Sequence, residues 1–203
     1  SKFIVDKMVS YLEKTDSSKP FLAYLPFQAI HIPVQAPPEF TAKYKGRFDE
    51  GWHVLRTARH KRAQELGFIR RGAPLAPMPD DAREWDGLDA DTQALYAARM
   101  EVNAGMLDAM DYHIGRFVSY LKNKRQYENT IFVVTSDNGP ETNRGDHDRR
   151  LGMWMKLNGY NTDLDKIGEK GSWGFIGTEW ALATASPGSL YKFYATEGGI
   201  RAP

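Results

Sequence analysis

Two short stretches bring together residue types able to do chemistry. Asp137-Asn138-Gly139 offers a carboxylate and a side-chain carbonyl in adjacent positions. These are hard oxygen donors, suited to calcium or magnesium rather than to zinc or copper. The same three residues also favour an Asx turn, and from spacing alone that is the better reading. Gln28-Ala29-Ile30-His31-Ile32-Pro33 places a histidine in a proline-bounded loop. An imidazole there can serve as a general acid near neutral pH, or as a hydrogen-bonded structural group. Lys192, taken alone, reads as a solvated lysine.

The elements around these residues say what must position them. Phe21 to Phe27 (FLAYLPF) and Ile131 to Thr135 (IFVVT) are short, almost wholly apolar runs, expected as strands buried on both faces. His31 follows the first and Asp137 the second, which is where ligands gather in open α/β sheets. Helical spacing predicts a helix over 3–14. A longer one starts at Asp89 and carries Leu95, Ala98, Val102, Met106, Met110, Ile114, Phe117 and Leu121 over about eight turns. Three prolines between Ile32 and Pro38 impose an extended loop. Helix, strand, long helix, strand is an α/β pattern with parallel strands and helices on both faces.

Between these elements the composition shifts. Residues 43–71 carry nine Lys or Arg against three Asp or Glu, and 80–91 carry six acids against one arginine. The basic stretch is expected as a solvated helix that could attract a polysulfated ligand, with the acidic run as an equally good internal partner. Residues 72–90 read as a linker and most of 140–190 as loop, a length that often marks function. Within that loop, Gly145-Asp146-His147-Asp148-Arg149-Arg150 reads better as a solvated loop than as a second metal cluster. Trp154, Trp173, Phe175 and Trp180 are expected to supply apolar walls to a pocket. His53, His60 and His113 are expected at the surface.

Composition excludes several classes of protein. The 203 residues carry 27 basic and 26 acidic side chains, a net charge of +1, so no global field invites nucleic acid or an anionic membrane. No apolar run approaches the ~20 residues needed to span a bilayer. Without cysteine there is no disulfide, no thiolate metal site and no cysteine nucleophile.

Taken in order, the motifs resemble the type I sulfatases. Pro20 to Phe27 with His31-Ile32-Pro33 and Gln35-Ala36-Pro37-Pro38 looks like their strand and histidine loop. Tyr44 to Trp52 (YKGRFDEGW) looks like the arylsulfatase segment next in order. Ser136-Asp137-Asn138-Gly139 is similar to the metal-binding turn, and Leu190-Tyr191-Lys192 with Glu197 to Pro203 (EGGIRAP) is similar to the late lysine motif. The resemblance implies an alkaline-phosphatase-like three-layer α/β sandwich with a mostly parallel central sheet, only partly covered by this chain. It implies that Asp137 and Asn138 bind a divalent cation, calcium first and magnesium second. His31 and Lys192 would contact the sulfate ester and assist departure of its oxygen. The substrate would be a small-molecule or carbohydrate sulfate ester, and the setting periplasmic or secreted ahead of cytoplasmic.

Departures from the family pattern are equally informative. The family's nucleophile is a formylglycine made from a C/S-x-P-x-R motif, and no such motif occurs here. An early aspartate pair and a Lys-x-His segment are missing too. Residues 1–203 are therefore expected to form part of a sulfatase catalytic domain, without its N-terminal nucleophile region and C-terminal part, inactive as a separate polypeptide. The alternatives are a phosphoric- or phosphonate-ester hydrolase of the same superfamily, against which Asn138 argues, and a noncatalytic binding fragment.

Overall fold

The computed structural model describes residues 1–142 and 149–201. Helices α1 (Lys2–Leu12), α2 (Pro38–Thr41), α3 (Gly51–Glu65), α4 (Ala90–Asn123), α5 (Arg149–Leu157), α6 (Thr178–Ala185) and α7 (Glu197–Ile200) succeed one another along the chain. None of the described helices is long and apolar enough to cross a membrane.

Helix α4 is the spine, about 50 Å long at 1.5 Å per residue. Its start is set locally. Asp89 is the N-cap, its Oδ1 accepting the Thr92 N–H at 2.8 Å and its Oδ2 the Thr92 hydroxyl at 2.8 Å. Helices α1 and α2 both lie against α4. At Gly105 the backbone of Thr41 comes so near that a Cβ would meet its N and Cα, so only glycine permits this crossing. The buried stripe holds Val102, Phe117 and Leu121 as expected, but in the first half it runs through Tyr96, Ala97, Arg99 and Met100. Leu95 and Ala98 are only partly covered, because the residues packed on this end come from the far side of the chain.

That covering layer is an aromatic core. Trp52 of α3, Trp85, Tyr96 of α4 and Trp180 of α6 are all buried. Trp52 meets Trp85 edge-to-face at 4.8 Å and Trp180 at 5.8 Å. Such pairs each add about 0.5–1.5 kcal/mol beyond burial. Beside them Arg83 donates through Nε and Nη2 to the two oxygens of buried Glu179, each at 2.8 Å, and lies 4.8 Å from the Tyr96 ring. Residues 72–90 are thus part of the core's wall. Arg56 Nη2 donates to Ala76 O at 2.6 Å, and His60 Nε2 donates to Ala73 O at 2.8 Å, pinning the segment along α3.

Several expectations change here. His60 and His113 are buried rather than at the surface. Arg116 Nη1 donates to His113 Nδ1 at 3.1 Å, and burial, followed by the Arg116 charge, lowers this imidazole's pKa. Phe175 and Trp180 are core residues with no solvent exposure, so they cannot wall an open pocket. The expected long loop contains α5 and α6. Among the described residues His53–Glu84, at 3.0 Å, is the one ion pair between the basic stretch and the acidic run.

The expected parallel sheet is not seen among the described residues; one isolated bridge joins Asn161 and Ser172. The segment 21–27 is extended without a ladder. Phe21, Ala23, Leu25 and Phe27 pack onto Val5, Phe117 and Leu121, while Leu22 is 98% and Tyr24 80% exposed. That alternation has the period of a strand with one face covered. Segment 131–135 is exposed throughout. A strand is defined by neighbours that take its N–H and C=O groups, and these two segments do not pair with each other.

The Arg83–Glu179 pair yields a stability prediction. Burial pushes the Glu179 carboxyl up, but the hydrogen bonds from Arg83 outweigh it and hold the pKa below the usual 4.5. A depressed carboxyl contributes stability that is complete above its unfolded value and lost as pH falls through the folded one. Arg83→Ala should cost about 3 kcal/mol by leaving Glu179 buried and unpaired. Urea unfolding monitored by tryptophan fluorescence should show this, with the wild type losing stability as pH falls below 4.5 and Glu179→Gln lacking that loss.

Candidate functional site

The site is assembled by two segments that meet. The first is the turn 136–142, which continues from the exposed segment 131–135. Ser136 Oγ donates to Asn138 O at 2.9 Å, and Asn138 Nδ2 donates to Gly139 O at 2.9 Å. The second is the segment 189–199, held by its own bonds. Gly198 N–H donates to Ser189 O at 2.8 Å and Thr196 Oγ1 donates to the same carbonyl at 2.7 Å.

Three ties join the segments. Gly139 N–H donates to Gly199 O at 2.8 Å, and Lys192 N–H donates to Pro140 O at 3.1 Å. Lys192 Nζ pairs with Glu141 Oε2 at 2.9 Å. Contact at Gly139 is so close that a Cβ would overlap the Gly198 carbonyl oxygen. Glycine is required here for approach, not for an unusual backbone angle. Lys192, 53 residues beyond Gly139, is thereby set against the Asp137-Asn138-Gly139 turn.

Asp137 is exposed, and the Asn138 amide spends its Nδ2 on Gly139 O. The carboxylate and the Asn138 Oδ1 are the two groups suited to a hard cation. Calcium takes six to eight oxygens, so these residues fit part of a shell and cannot complete one. Among the described residues no group of three or more His, Cys, Asp or Glu stands ready to hold a metal. Gly145, Asp146, His147 and Asp148 of the suspected second cluster lie outside the described residues; Arg149 and Arg150 open α5.

His31 is held within its own loop. Its N–H donates to Gln28 O at 2.8 Å, and its Nδ1 lies 2.8 Å from Ile32 O. A carbonyl only accepts, so Nδ1 carries a hydrogen and Nε2 is the atom left to exchange a proton. None of its described hydrogen bonds reaches the turn or Lys192, whereas Lys192 is bonded to Pro140 and Glu141, directly after Asp137-Asn138-Gly139. The loop beyond His31 is anchored separately, by Val34 N–H donating to Gly174 O at 2.9 Å and Ala36 N–H to Gly168 O at 3.1 Å. A cavity of about 750 Å³ lies beside that anchor, lined by Pro38, Lys45, Glu101, Glu169 and Lys170 among others. It contains none of the four candidate residues.

The residue missed in the sequence is Glu141. Its one signal was an acid placed just after the Asn138-Gly139-Pro140 turn. Trp154 and Trp173 gather around Tyr160, at 5.7 Å stacked and 5.3 Å edge-on, and neither lines the cavity described above.

Comparison with known proteins gives this geometry a context. The family model described as Sulfatase matches residues 1–174. An uncharacterized sulfatase of Schizosaccharomyces pombe is 35% identical over all of this chain and 37% of its own length. An arylsulfatase of Klebsiella aerogenes is 32% identical over 96% of this chain and 41% of its own length. A multifunctional alkaline phosphatase superfamily protein of Trinickia caryophylli is 27% identical over 82% of this chain and 31% of its own. The chain therefore spans about two fifths of the length of the first two relatives.

Gly139→Ala tests the junction directly. The added Cβ should separate the turn from 198–199 and speed amide exchange at Gly139 and Lys192 by about tenfold or more. Hydrogen exchange read by mass spectrometry checks this; unchanged protection would mean that the two segments are not held by that contact.

Proposed function

The chain belongs to the sulfatase family, and on that premise we propose that the protein it represents is a sulfuric-ester hydrolase of the arylsulfatase kind. The observation that carries this reading is the junction of segment 189–199 with the turn 136–142: Gly139 bonds to Gly199, and Lys192 bonds to Pro140 and pairs with Glu141 just after Asp137-Asn138-Gly139. The remaining length of the relatives leaves room for a formylglycine nucleophile and for further cation ligands. On this reading residues 1–203 alone are inactive, and the sheet to which 21–27 and 131–135 belong is completed by strands from the rest of the protein.

The chemistry rests on the substrate's charge. A sulfate ester is a monoanion, and cleavage of its S–O bond places further negative charge on the leaving oxygen. Lys192 binds the sulfate oxygens and offsets that charge, a contribution of about a few kcal/mol. His31 is fixed through Nδ1–H on Ile32 O, which leaves Nε2 facing away from that bond; in the imidazolium form Nε2–H gives the leaving oxygen its proton. Asp137 and Asn138 would hold a divalent cation, calcium or magnesium, which when bound supplies electrostatic stabilisation of the sulfate group. The substrate class is an aryl or sugar sulfate.

A phosphoric- or phosphonate-ester hydrolase is the second reading, favoured by the similarity to the Trinickia caryophylli protein. Asn138, a neutral donor, supports the sulfatase reading over it.

In the full-length protein carrying formylglycine, chelation should abolish hydrolysis of p-nitrophenyl sulfate and added calcium should restore it. Asp137→Ala and Lys192→Ala should each lower kcat/KM by about 100-fold or more. Absence of sulfate release from every aryl and sugar sulfate tested would overturn this reading.

A further inference from the structure

Glu141 is a charged group that the proposed chemistry does not use, yet it is the side chain in contact with Lys192. Its side chain is 13% exposed and that of Lys192 23%, so the 2.9 Å pair is shielded from much of the solvent. The other carboxylate oxygen, Oε1, accepts the Thr142 N–H at 3.0 Å, which fixes the carboxylate's orientation from behind. Lysine has a flexible four-carbon stem, and a single oriented partner decides where its ammonium spends its time.

Charge adds a second consequence. The Lys192–Glu141 pair brings N–H donors to an anion and places a carboxylate charge beside them. A phosphate ester carries close to two negative charges above its second pKa of about 6, and a sulfate ester carries one. A carboxylate beside the anion-binding lysine therefore penalises the doubly charged ligand more than the singly charged one.

Resting on the sulfatase reading above, we propose that Glu141 is a positioning and specificity-determining residue: its carboxylate holds Lys192 Nζ beside the turn 136–142 and reserves the site for singly charged esters. Lys192 is the group that holds the anion next to Glu141, so both effects require Lys192.

Two non-hydrolysed ligands of one shape, benzylsulfonate and benzylphosphonate, differ by one charge at about pH 8.5. Their dissociation constants, measured by calorimetry on the full-length protein, report the charge preference without any turnover. Glu141→Gln keeps the size and an acceptor oxygen, and should raise phosphonate affinity relative to sulfonate by about tenfold. In a Lys192→Ala background the same change should leave the ratio unaltered. A ratio within about twofold of wild type in Glu141→Gln, or an equal shift without Lys192, would sink the proposal. Glu141→Asp is the second variant: it keeps the charge but draws it back by one methylene. It should keep the wild-type binding ratio while lowering kcat on p-nitrophenyl sulfate by about tenfold with little change in KM, and wild-type kcat in this variant would overturn the positioning role. No sulfate release by the wild type, together with a shifted ratio in Glu141→Gln, would remove the sulfatase reading alone. Active protein with an unshifted ratio would remove this inference alone.

Discussion

The bidentate bond between Arg83 and Glu179 is the contact on which most of this structure depends. A carboxylate buried as deeply as Glu179 is unfavourable unless it is paired, and Arg83 meets both of its oxygens. Satisfying that one charge draws residues 72–90 onto α6 and closes the tryptophan core over α3 and α4. The position of α6 in turn fixes the course of the chain beyond its last residue. Ser186 Oγ donates to Arg56 O at 3.2 Å, and the chain leaves that anchor directly into the 189–199 segment carrying Lys192.

Placement of Lys192 is thus a consequence of core packing as well as of its own motif. The glycines at 139, 198 and 199 let two backbones approach until N–H and C=O groups meet across them. Backbone ties of this kind are indifferent to side-chain identity elsewhere, which suits a site that must hold its geometry while neighbouring loops vary. The side-chain tie, Glu141 to Lys192, is the component with chemical character, since it sets both direction and charge.

The apolar segments 21–27 and 131–135 show the other side of the same physics. Their composition is that of strands in the middle of a sheet, and neither is part of a ladder among the described residues. Phe21, Ala23, Leu25 and Phe27 find cover on α1 and α4, while Leu22, Tyr24, Ile131 and Val133 do not. Extended conformation is a local preference of β-branched and aromatic residues, whereas a sheet is a cooperative property of several strands. Membership of the sulfatase family implies an alkaline-phosphatase-like α/β fold, whose parallel sheet is not seen among the described residues.

What the amino-acid sequence determined by itself was whatever short range decides. The start of α4 was legible because Asp89 and Thr92 are three residues apart. The turn at Asp137-Asn138-Gly139 and the loop at His31 were legible because their residue types dictate local backbone shape. The burial of His60, His113, Phe175 and Trp180 was not, nor was the conversion of residues 72–90 from linker to core wall. These depend on partners such as Arg83 and Glu179, 96 positions apart. The pairing of Glu141 with Lys192 belongs with them. An acid after a turn and a lysine near the chain's end carry no mutual signal in sequence, and only the packing of α6 and the close approach at Gly139 bring their charges within 2.9 Å.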